Sequence, residues 1–233
     1  MIGALLGAGA SAAAFAHAGP ALAPVVPGLG DALGVRMREE GAGGVVLTFD
    51  DGPHPQGTPA VLEALREHRA TATFFLAGEQ VVRRPSLASE IVAAGHQVEL
   101  HCFRHRNLLR LSTRDFLADA ERARAAIEDA CGQPIFAYRP PYGIFSSSTL
   151  RAVRARGWRP VLWSRWGRDW TRRATSQSIA RRASAGIQAG DIVLLHDADY
   201  YSARGSWVRT AAALPLILEE LDRVGLKAIS LRR

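Results

Sequence analysis

Two adjacent carboxylates at the end of an apolar run are the first residues in this chain that could do chemistry. Asp50 and Asp51 follow residues 45–49 (Val-Val-Leu-Thr-Phe), and Gly52-Pro53 interrupts the run directly afterwards. The run is typical of a buried strand, and Gly-Pro favours its end. Two carboxylates at such close range resist ionising together. A bound cation would offset that repulsion, so we expect metal ligands and a proton-transfer partner elsewhere in the chain.

His101 and His105 have the spacing of a metal site. On one helical turn or in a tight loop, side chains four residues apart can present two nitrogens to one ion. The spacing alone fits two surface or hydrogen-bonded histidines better, but Asp51 as a third ligand at a strand end favours a metal site. Two imidazoles and one carboxylate, with positions open for water, suit Zn²⁺ or another first-row divalent ion such as Co²⁺. Cys102 directly follows His101, so we expect its thiol to point away from such an ion.

The elements that must position these residues alternate between short apolar strands and amphipathic helices. The predicted strands cover residues 45–49, 71–76, 97–100, 136–139, 159–163, 191–196 and 227–231. The predicted helices lie at residues 58–68, 86–94, 112–131, 147–156, 176–185 and 210–224. Such alternation implies right-handed βαβ units and a mainly parallel sheet. Seven strands favour an α/β fold in the form of a closed or partly closed barrel over a flat sheet.

Polar residues interrupt the apolar pattern just after the predicted strands. They are Asp50 and Asp51 after the first strand, His101 and His105 after the third, Arg139 at the end of the fourth, Asp169 and Trp170 after the fifth, and His196 at the end of the sixth. In a barrel of parallel strands, all of these positions lie at the C-terminal face, where such folds carry their active sites. Core packing does not explain this common placement, so the pattern predicts one site assembled from several strands.

Length and charge are those of one basic globular domain. The chain has 233 residues, 48% of them hydrophobic, with 29 Lys and Arg against 22 Asp and Glu. Lys227 is the single lysine. The net charge of +7 would attract an anionic polymer such as a cell-wall glycan or a nucleic acid. We favour a general bias towards arginine on helix faces, because no dense basic run occurs outside Arg172-Arg173 and Arg181-Arg182 and the chain has no nucleic-acid-binding motif.

The first 27 residues carry no Asp, Glu, Lys or Arg and are rich in Ala and Gly. Residues 1–16 resemble the apolar core of a secretory signal, and residues 16–18 (Ala-His-Ala) have the form of a cleavage site. An uncleaved membrane anchor is the alternative, although the stretch is short and glycine-rich for a spanning helix. No basic residue precedes the apolar run, which leaves a cytoplasmic extension as a third interpretation. We expect a leader and linker over residues 1–44, a folded domain over residues 45–233, and a secreted or membrane-anchored protein.

Five motifs carry a resemblance to a known family. They are Thr48-Phe49-Asp50-Asp51-Gly52-Pro53, His101-Cys102-Phe103-Arg104-His105, Arg139-Pro140-Pro141-Tyr142-Gly143, Asp169-Trp170 and Leu194-Leu195-His196. With these motifs the chain resembles the polysaccharide deacetylases, the NodB homology domain of family 4 carbohydrate esterases. The resemblance extends over residues 45–231 and implies a distorted (β/α) barrel of about seven βα units. It also implies that residues 45–233 form a catalytic domain.

The resemblance implies that the first two motifs supply the metal ligands and the general base, and that the arginine of the third motif positions this base. By resemblance, Asp51, His101 and His105 are the metal ligands. Asp50 resembles the general base that activates water, and Arg139 the residue that orients and tunes it. A divalent metal lowers the pKa of water to about 7 in favourable sites and polarises an amide carbonyl, which fits the donor set described above.

The remaining motifs are implied to serve the leaving group and the substrate. His196 resembles the general acid, and Asp169 the carboxylate that tunes it. Tyr142 resembles the residue whose backbone N–H stabilises the oxyanion, while Trp170 and Leu194 are implied to line the pocket for the acetyl group. A histidine is well suited to protonate a leaving amine near neutral pH.

Two positions depart from the family pattern. Cys102 replaces the usual Ser or Thr, and Trp166 stands where the fourth motif often has an additional acidic residue. We expect Trp166 to change substrate choice rather than catalysis, because the ligands, base and acid are all present. Of the nearby tryptophans, we expect Trp158 and Trp163 in the core, and Trp166 and Trp170 at the rim of the site.

The motifs together predict a metal-dependent hydrolase that removes N-linked acetyl groups from a glycan, with cell-wall or chitin-like N-acetylglucosamine as the first substrate. The same site has two alternative reactions. One is hydrolysis of O-acetyl esters, and the other is hydrolysis of an acylated or formylated amino sugar on a lipid-linked intermediate. A catalytically weak carbohydrate-binding protein is a further alternative, which the presence of all ligands and the base disfavours. Nucleic-acid binding lacks a motif and would show affinity that falls steeply with salt.

Overall fold

The computed structural model describes residues 16–233, so residues 1–15, which hold most of the expected secretory signal, lie outside the described part. Within residues 16–233, eight strands form one sheet, and its paired strands run parallel. In chain order, β1 to β8 cover Val45–Asp50, Thr73–Ala77, Gln97–Cys102, Ala137–Tyr138, Arg159–Pro160, Arg165–Trp166, Ile192–His196 and Ala228–Ile229. The order across the sheet is β5-β4-β3-β2-β1-β7-β6, and β8 pairs with the first two residues of β1.

Helices connect the strands. In chain order, α1 to α8 cover Leu29–Ala32, Gly57–Glu67, Gly78–Arg83, Pro85–Ala93, Thr113–Cys131, Ser147–Ala155, Ser176–Ser184 and Ser206–Arg223. The ends of α5 have residues typical of helix termini. The Ser112 hydroxyl accepts the backbone N–H of Asp115 at 3.1 Å, and Gly132 follows the helix with a φ of 67°. The parallel sheet and its helices form a distorted (β/α) barrel, which confirms the predicted fold class.

Several elements differ from the prediction. The helix α3 was not predicted; it begins at Gly78, where a Cβ would lie 2.8 Å from the Cα of Ala123 on α5, so this close approach requires glycine. The two-residue strand β6 has no apolar run long enough to predict it. The last helix begins at Ser206 rather than at Thr210, directly after Gly205, whose φ of 72° reverses the chain.

The central strands supply the core of the barrel. Every residue of β1 and β2 is buried, as expected for a parallel sheet that helices cover on its faces. Phe49 and Phe74 stack on each other, with ring centroids 5.1 Å apart. Side chains at the ends of such rigidly packed strands are held in place better than side chains on loops.

A segment predicted as linker packs against the barrel. Arg36 forms a parallel bridge with Val161, and Arg38 forms an antiparallel bridge with Asp191. Val35 is buried, with 1% of its surface exposed. The segment therefore connects the region after β5 to the start of β7, while the domain boundary at residue 45 stays a prediction. Among the helices of residues 16–233, none has both the length and the apolar composition needed to cross a membrane.

Candidate active site

The carboxyl ends of β1, β3 and β7 meet at a cavity of about 360 Å³. Predicted site residues that line it are Asp50, Asp51, His101, His105, Tyr142, Trp170, Leu194 and His196. The other two predicted residues, Arg139 and Asp169, are fully buried and form hydrogen bonds with Asp50 and His196, respectively. The parallel topology thus brings together residues that are far apart in the sequence, at the face where barrels carry their chemistry.

A buried arginine holds Asp50. Nη1 of Arg139 donates hydrogen bonds of 2.7 Å to Oδ1 of Asp50 and 2.7 Å to Oγ1 of Thr48. Nη2 donates to the carbonyl oxygen of Leu162 at 2.8 Å, and the guanidinium carbon lies 4.1 Å from the ring centroid of Phe75. Burial lowers the pKa of Arg139, although the charge of Asp50 opposes that change. The arginine therefore orients the Asp50 carboxylate and compensates its buried charge.

Replacing Arg139 with methionine is expected to lower the free energy of unfolding by about 3–5 kcal/mol, because Asp50 would remain buried without its partner. For a domain of this size, the melting temperature should fall by roughly 10 °C. Differential scanning calorimetry measures the change. Arg151→Met, which removes an exposed arginine from α6, is the matched control and should shift the melting temperature by no more than about 2 °C. An equally small shift for Arg139→Met would contradict the importance of the buried pair.

Asp51, His101 and His105 form a cluster that fits a metal ion. Their candidate ligand atoms all lie within 4.8 Å of one another. Oδ1 of Asp51 is 3.3 Å from Nε2 of His101 and 3.5 Å from Nε2 of His105. This oxygen is buried and has no hydrogen-bond partner among the described residues. A divalent cation would satisfy it, and one carboxylate oxygen with two imidazole nitrogens is a donor set suited to catalytic zinc.

The protonation states of the cluster also suit metal binding. Burial disfavours the charged form of Asp51, but the neighbouring histidines, His101 first, outweigh burial and keep the pKa of Asp51 below its usual value. Burial is the main cause that lowers the pKa of His105 to about 4. Nδ1 of His101 donates to the carbonyl oxygen of Arg139 at 2.8 Å, which leaves Nε2 free to bind on the side of Asp51. Ionised carboxylates and neutral imidazoles are the forms that ligate metals.

Left-handed backbone occurs at two non-glycine residues of the cavity. Asp51 has a φ of 78°, and Tyr142 has a φ of 61° in the short turn Pro141–Gly143. The turn at Asp51 lets two adjacent carboxylates face different partners: Arg139 for Asp50, and the histidines for Asp51. The Tyr142 side chain is 57% exposed at the cavity. Such uncommon backbone geometry is found most often at functional sites.

His196 is paired with a buried carboxylate. Its Nδ1 lies 2.9 Å from Oδ1 of Asp169, and its backbone N–H donates to Oδ2 of Asp169 at 2.7 Å. The hydroxyl of Thr210 donates to the same Oδ2 at 2.8 Å. Burial disfavours the charged form of His196, but the charge and hydrogen bond of Asp169 outweigh it and raise the pKa of His196 to about 10. The imidazole is therefore protonated near neutral pH and can act as an acid.

Two lining residues, Tyr201 and Ser202, were not predicted from the sequence. The Tyr201 ring stacks on His105 with centroids 4.3 Å apart, and its hydroxyl donates a hydrogen bond to Glu79. Both residues lie in the loop that follows β7, shortly after His196. Because loops at the carboxyl ends of barrel strands carry function, that position is the signal that could have identified them.

The tryptophans divide between core and cavity. Trp158 and Trp163 are each 6% exposed, and both belong to the hydrophobic core, as predicted. Trp163 nevertheless lines the cavity as well, together with Trp166 and Trp170, which were expected at the rim. The ring centroids of Trp163 and Trp166 are 5.9 Å apart, and those of Trp166 and Trp170 are 5.7 Å apart. One wall of the cavity is therefore a continuous aromatic surface.

Comparison with known proteins supports a single family. The polysaccharide deacetylase family model matches residues 38–161. A chitooligosaccharide deacetylase of Azorhizobium caulinodans is 36% identical over 188 residues, covering 78% of this chain and 89% of that protein. A peptidoglycan-N-acetylglucosamine deacetylase of Bacillus cereus is 33% identical over 189 residues, covering 80% of this chain and 85% of that protein.

A solved structure shares the fold. The crystal structure of a peptidoglycan N-acetylglucosamine deacetylase matches with a TM-score of 0.81, covering 89% of this chain and 95% of that one, at 24% sequence identity. At that identity the likeness supports the fold alone, but the family match and the two relatives are independent of it. The chain therefore belongs to the polysaccharide deacetylase family of hydrolytic enzymes.

Proposed function

We propose that this protein is a metal-dependent N-deacetylase that removes acetyl groups from N-acetylglucosamine in a chitooligosaccharide or peptidoglycan glycan. The observation that carries the proposal is the composition of one cavity. The cavity is lined by Asp50, by the cluster of Asp51, His101 and His105, and by protonated His196. Buried Arg139 holds Asp50 in place from behind the cavity lining. Both relatives described above are named for the deacetylation of such glycans.

In the proposed mechanism, Asp50 is the general base. Arg139 occupies Oδ1 of Asp50, so Oδ2 is the oxygen that remains to accept a proton from the attacking water. A divalent ion held by Asp51, His101 and His105, preferably Zn²⁺ or Co²⁺, would lower the pKa of that water and polarise the acetyl carbonyl. Base catalysis of this kind contributes about 10²–10⁴-fold to a reaction rate.

The acid half of the reaction falls to His196. After attack on the acetyl carbon, the leaving amine must receive a proton, which the protonated imidazole donates while Asp169 stabilises its charge. The backbone N–H of Tyr142 is the proposed donor to the oxyanion, because oriented backbone donors stabilise charge that develops in the transition state. Trp170 and Leu194 line the cavity and are the proposed walls for the acetyl methyl group.

The direct test is acetate release from N-acetylglucosamine oligomers by the full chain loaded with Zn²⁺ or Co²⁺. We expect acetate and free amine to form in equal amounts. Ester substrates with O-acetyl groups, assayed in parallel, establish which bond is preferred. Absence of acetate from every acetylated glycan, in a protein that is folded and metal-loaded, would overturn the proposal.

Asp169→Asn should shift the alkaline limb of the pH profile to lower pH. His196 must be protonated to act as an acid, and Asp169 is what raises the pKa of His196 above its usual value. Removing that charge lowers the pKa, so the acid is lost at lower pH, whereas the acid limb should stay in place. The measurement is kcat/KM across pH, which reports groups of the free enzyme. Thr210→Val is the control, because it removes a hydroxyl that donates to Asp169 but keeps the charge of Asp169. An alkaline limb that stays in place in Asp169→Asn would contradict the assignment of His196 as the general acid.

A further inference from the structure

The stretch that carries the aromatic wall is strongly basic. Residues 164–190 contain the arginines Arg165, Arg168, Arg172, Arg173, Arg181 and Arg182. Their single acidic residue, Asp169, is buried and bound to His196 and Thr210. Within residues 16–233, Arg165 is the one arginine of this stretch that forms an ion pair, with Asp191. The other five arginines of the stretch therefore have no acidic side chain paired with them among the described residues.

Arg168 is the arginine of this stretch that contacts the aromatic wall of the cavity. Its guanidinium carbon lies 4.7 Å from the ring centroid of Trp166, which lines the cavity. Arg168 is exposed and has a φ of 53°, a left-handed conformation that side chains of its size rarely adopt. A guanidinium this close to an indole ring is attracted by a cation–π interaction, which leaves its N–H donors available to other groups.

The neighbouring loop adds one exposed arginine and one acidic residue that other groups already bind. The loop after β7 packs beside the Trp170 loop, because the N–H of Ala203 donates to the carbonyl oxygen of Trp170 at 3.1 Å. This loop carries Arg204, which is exposed. Its acidic residue, Asp199, is already engaged: it accepts the N–H of Gly205 at 2.6 Å and lies 3.4 Å from Nε2 of His54.

Among the residues that the structure describes, no arginine or lysine lines the cavity, and protonated His196 is already assigned to the leaving amine. The acidic side chains, Asp50 and Asp51, belong to the proposed base and metal cluster, and the wall that Arg168 contacts is formed by Trp163, Trp166 and Trp170. An aromatic wall offers stacking to a sugar ring but no hydrogen bonds to its substituents. A cation fixed at the edge of that wall is positioned to bind an anionic substituent of a stacked sugar.

We propose that Arg168 is a specificity-determining residue that binds an anionic substituent, a carboxylate or a phosphate, on the N-acetylated sugar or on its neighbour in the glycan. The proposal rests on the function proposed above and specifies its substrate class. A guanidinium matches the planar geometry of a carboxylate and the oxygens of a phosphate, and its bonds to such groups are strengthened by charge. Trp166 supports the cation in a position where related proteins often have an acidic residue, so the charge of this rim favours anions over neutral or basic sugars.

The test measures binding by the full chain as well as turnover. The probes are N-acetylglucosamine, N-acetylglucosamine 1-phosphate and N-acetylmuramic acid, titrated by calorimetry or NMR at low salt and at 0.5 M salt. We expect at least one anionic sugar to bind about tenfold more tightly than the neutral sugar. Arg168→Gln should remove most of that preference, Arg168→Lys should keep part of it, and added salt should weaken it. Arg182→Gln removes an exposed arginine of α7 that forms no cation–π contact with the aromatic wall, unlike Arg168, and should leave the preference unchanged.

Each outcome separates the two proposals. Equal affinity of the wild-type protein for neutral and anionic sugars, or an equal loss for both in Arg168→Gln, would overturn the role of Arg168 while leaving deacetylation intact. A preference that Arg168→Gln abolishes, in a protein that deacetylates none of the sugars, would support the role of Arg168 and contradict the proposed reaction. Preference for the phosphate sugar alone or for the carboxylate sugar alone identifies which anion the rim binds. An anionic sugar could also contact the metal ion directly. That contact is the same in the wild-type protein and in Arg168→Gln, so it does not contribute to the difference in affinity between them.

Discussion

Asp50→Asn is expected to lower kcat by about 10²–10⁴-fold while the protein keeps its metal ion. Asparagine has nearly the shape of aspartate and can still accept the hydrogen bond from Arg139, but its amide cannot take a proton from water. The Asp51, His101 and His105 cluster is not altered, because the adjacent carboxylates face different partners. The readouts are the rate of acetate release and the zinc content per chain.

Two controls distinguish the loss of the general base from unfolding of the variant protein. The variant leaves the buried charge of Arg139 without a carboxylate, so its melting temperature must be measured beside its rate. Glycan affinity should change little, because Asp50 is proposed to act on water rather than to bind sugar. A decrease in kcat of less than about tenfold, in a folded variant, would remove Asp50 from the role of base. Glycan binding without acetate release, in both the wild-type protein and the variant, would instead favour the interpretation of this scaffold as a carbohydrate-binding protein.

Removal of the metal ion is expected to abolish acetate release, and added Zn²⁺ or Co²⁺ should restore it. Asp51→Asn should reproduce the loss permanently, because it removes the charged ligand of the cluster. Asparagine tolerates the left-handed backbone at this position, so the substitution tests the ligand and not the turn. We expect zinc affinity to fall by more than about 100-fold, since even the loss of an outer-shell partner costs 10–100-fold.

Zinc affinity and activity are measured on the same preparations, by competition with a chelating dye and by acetate release. His68→Gln, which alters a histidine at the far end of α2, is the matched control and should keep full zinc binding. Acetate release that persists after the ion has been removed, or one tightly bound zinc per chain in Asp51→Asn, would show that this cluster is not the catalytic metal site.

Most of the barrel was predictable because its rules are local or topological. The capping Ser112 and the terminating Gly132 act on their own helix, and apolar runs such as residues 45–49 are long enough to identify a strand. Position after a strand then indicates the site, since parallel strands bring their carboxyl ends to one face. For this reason the predicted residues were found around one cavity, although they lie in five separate motifs.

Contacts between loops depend on the path of the chain and leave no local pattern. Tyr201 stacks on His105 and bonds to Glu79, more than ninety positions away, and no periodicity near residue 201 indicates either partner. The parallel bridge between Arg36 and Val161 lies in a segment that composition alone marks as linker. Arg168, which contacts the Trp166 ring, has a positive φ that nothing in its side chain favours. The amino-acid sequence by itself determined which residues meet at the cavity and which strands hold them, because side-chain type and short-range periodicity are local properties. Only the tertiary structure decided which loops line the cavity and which charged side chains lie beside it, because those depend on the packing of distant segments.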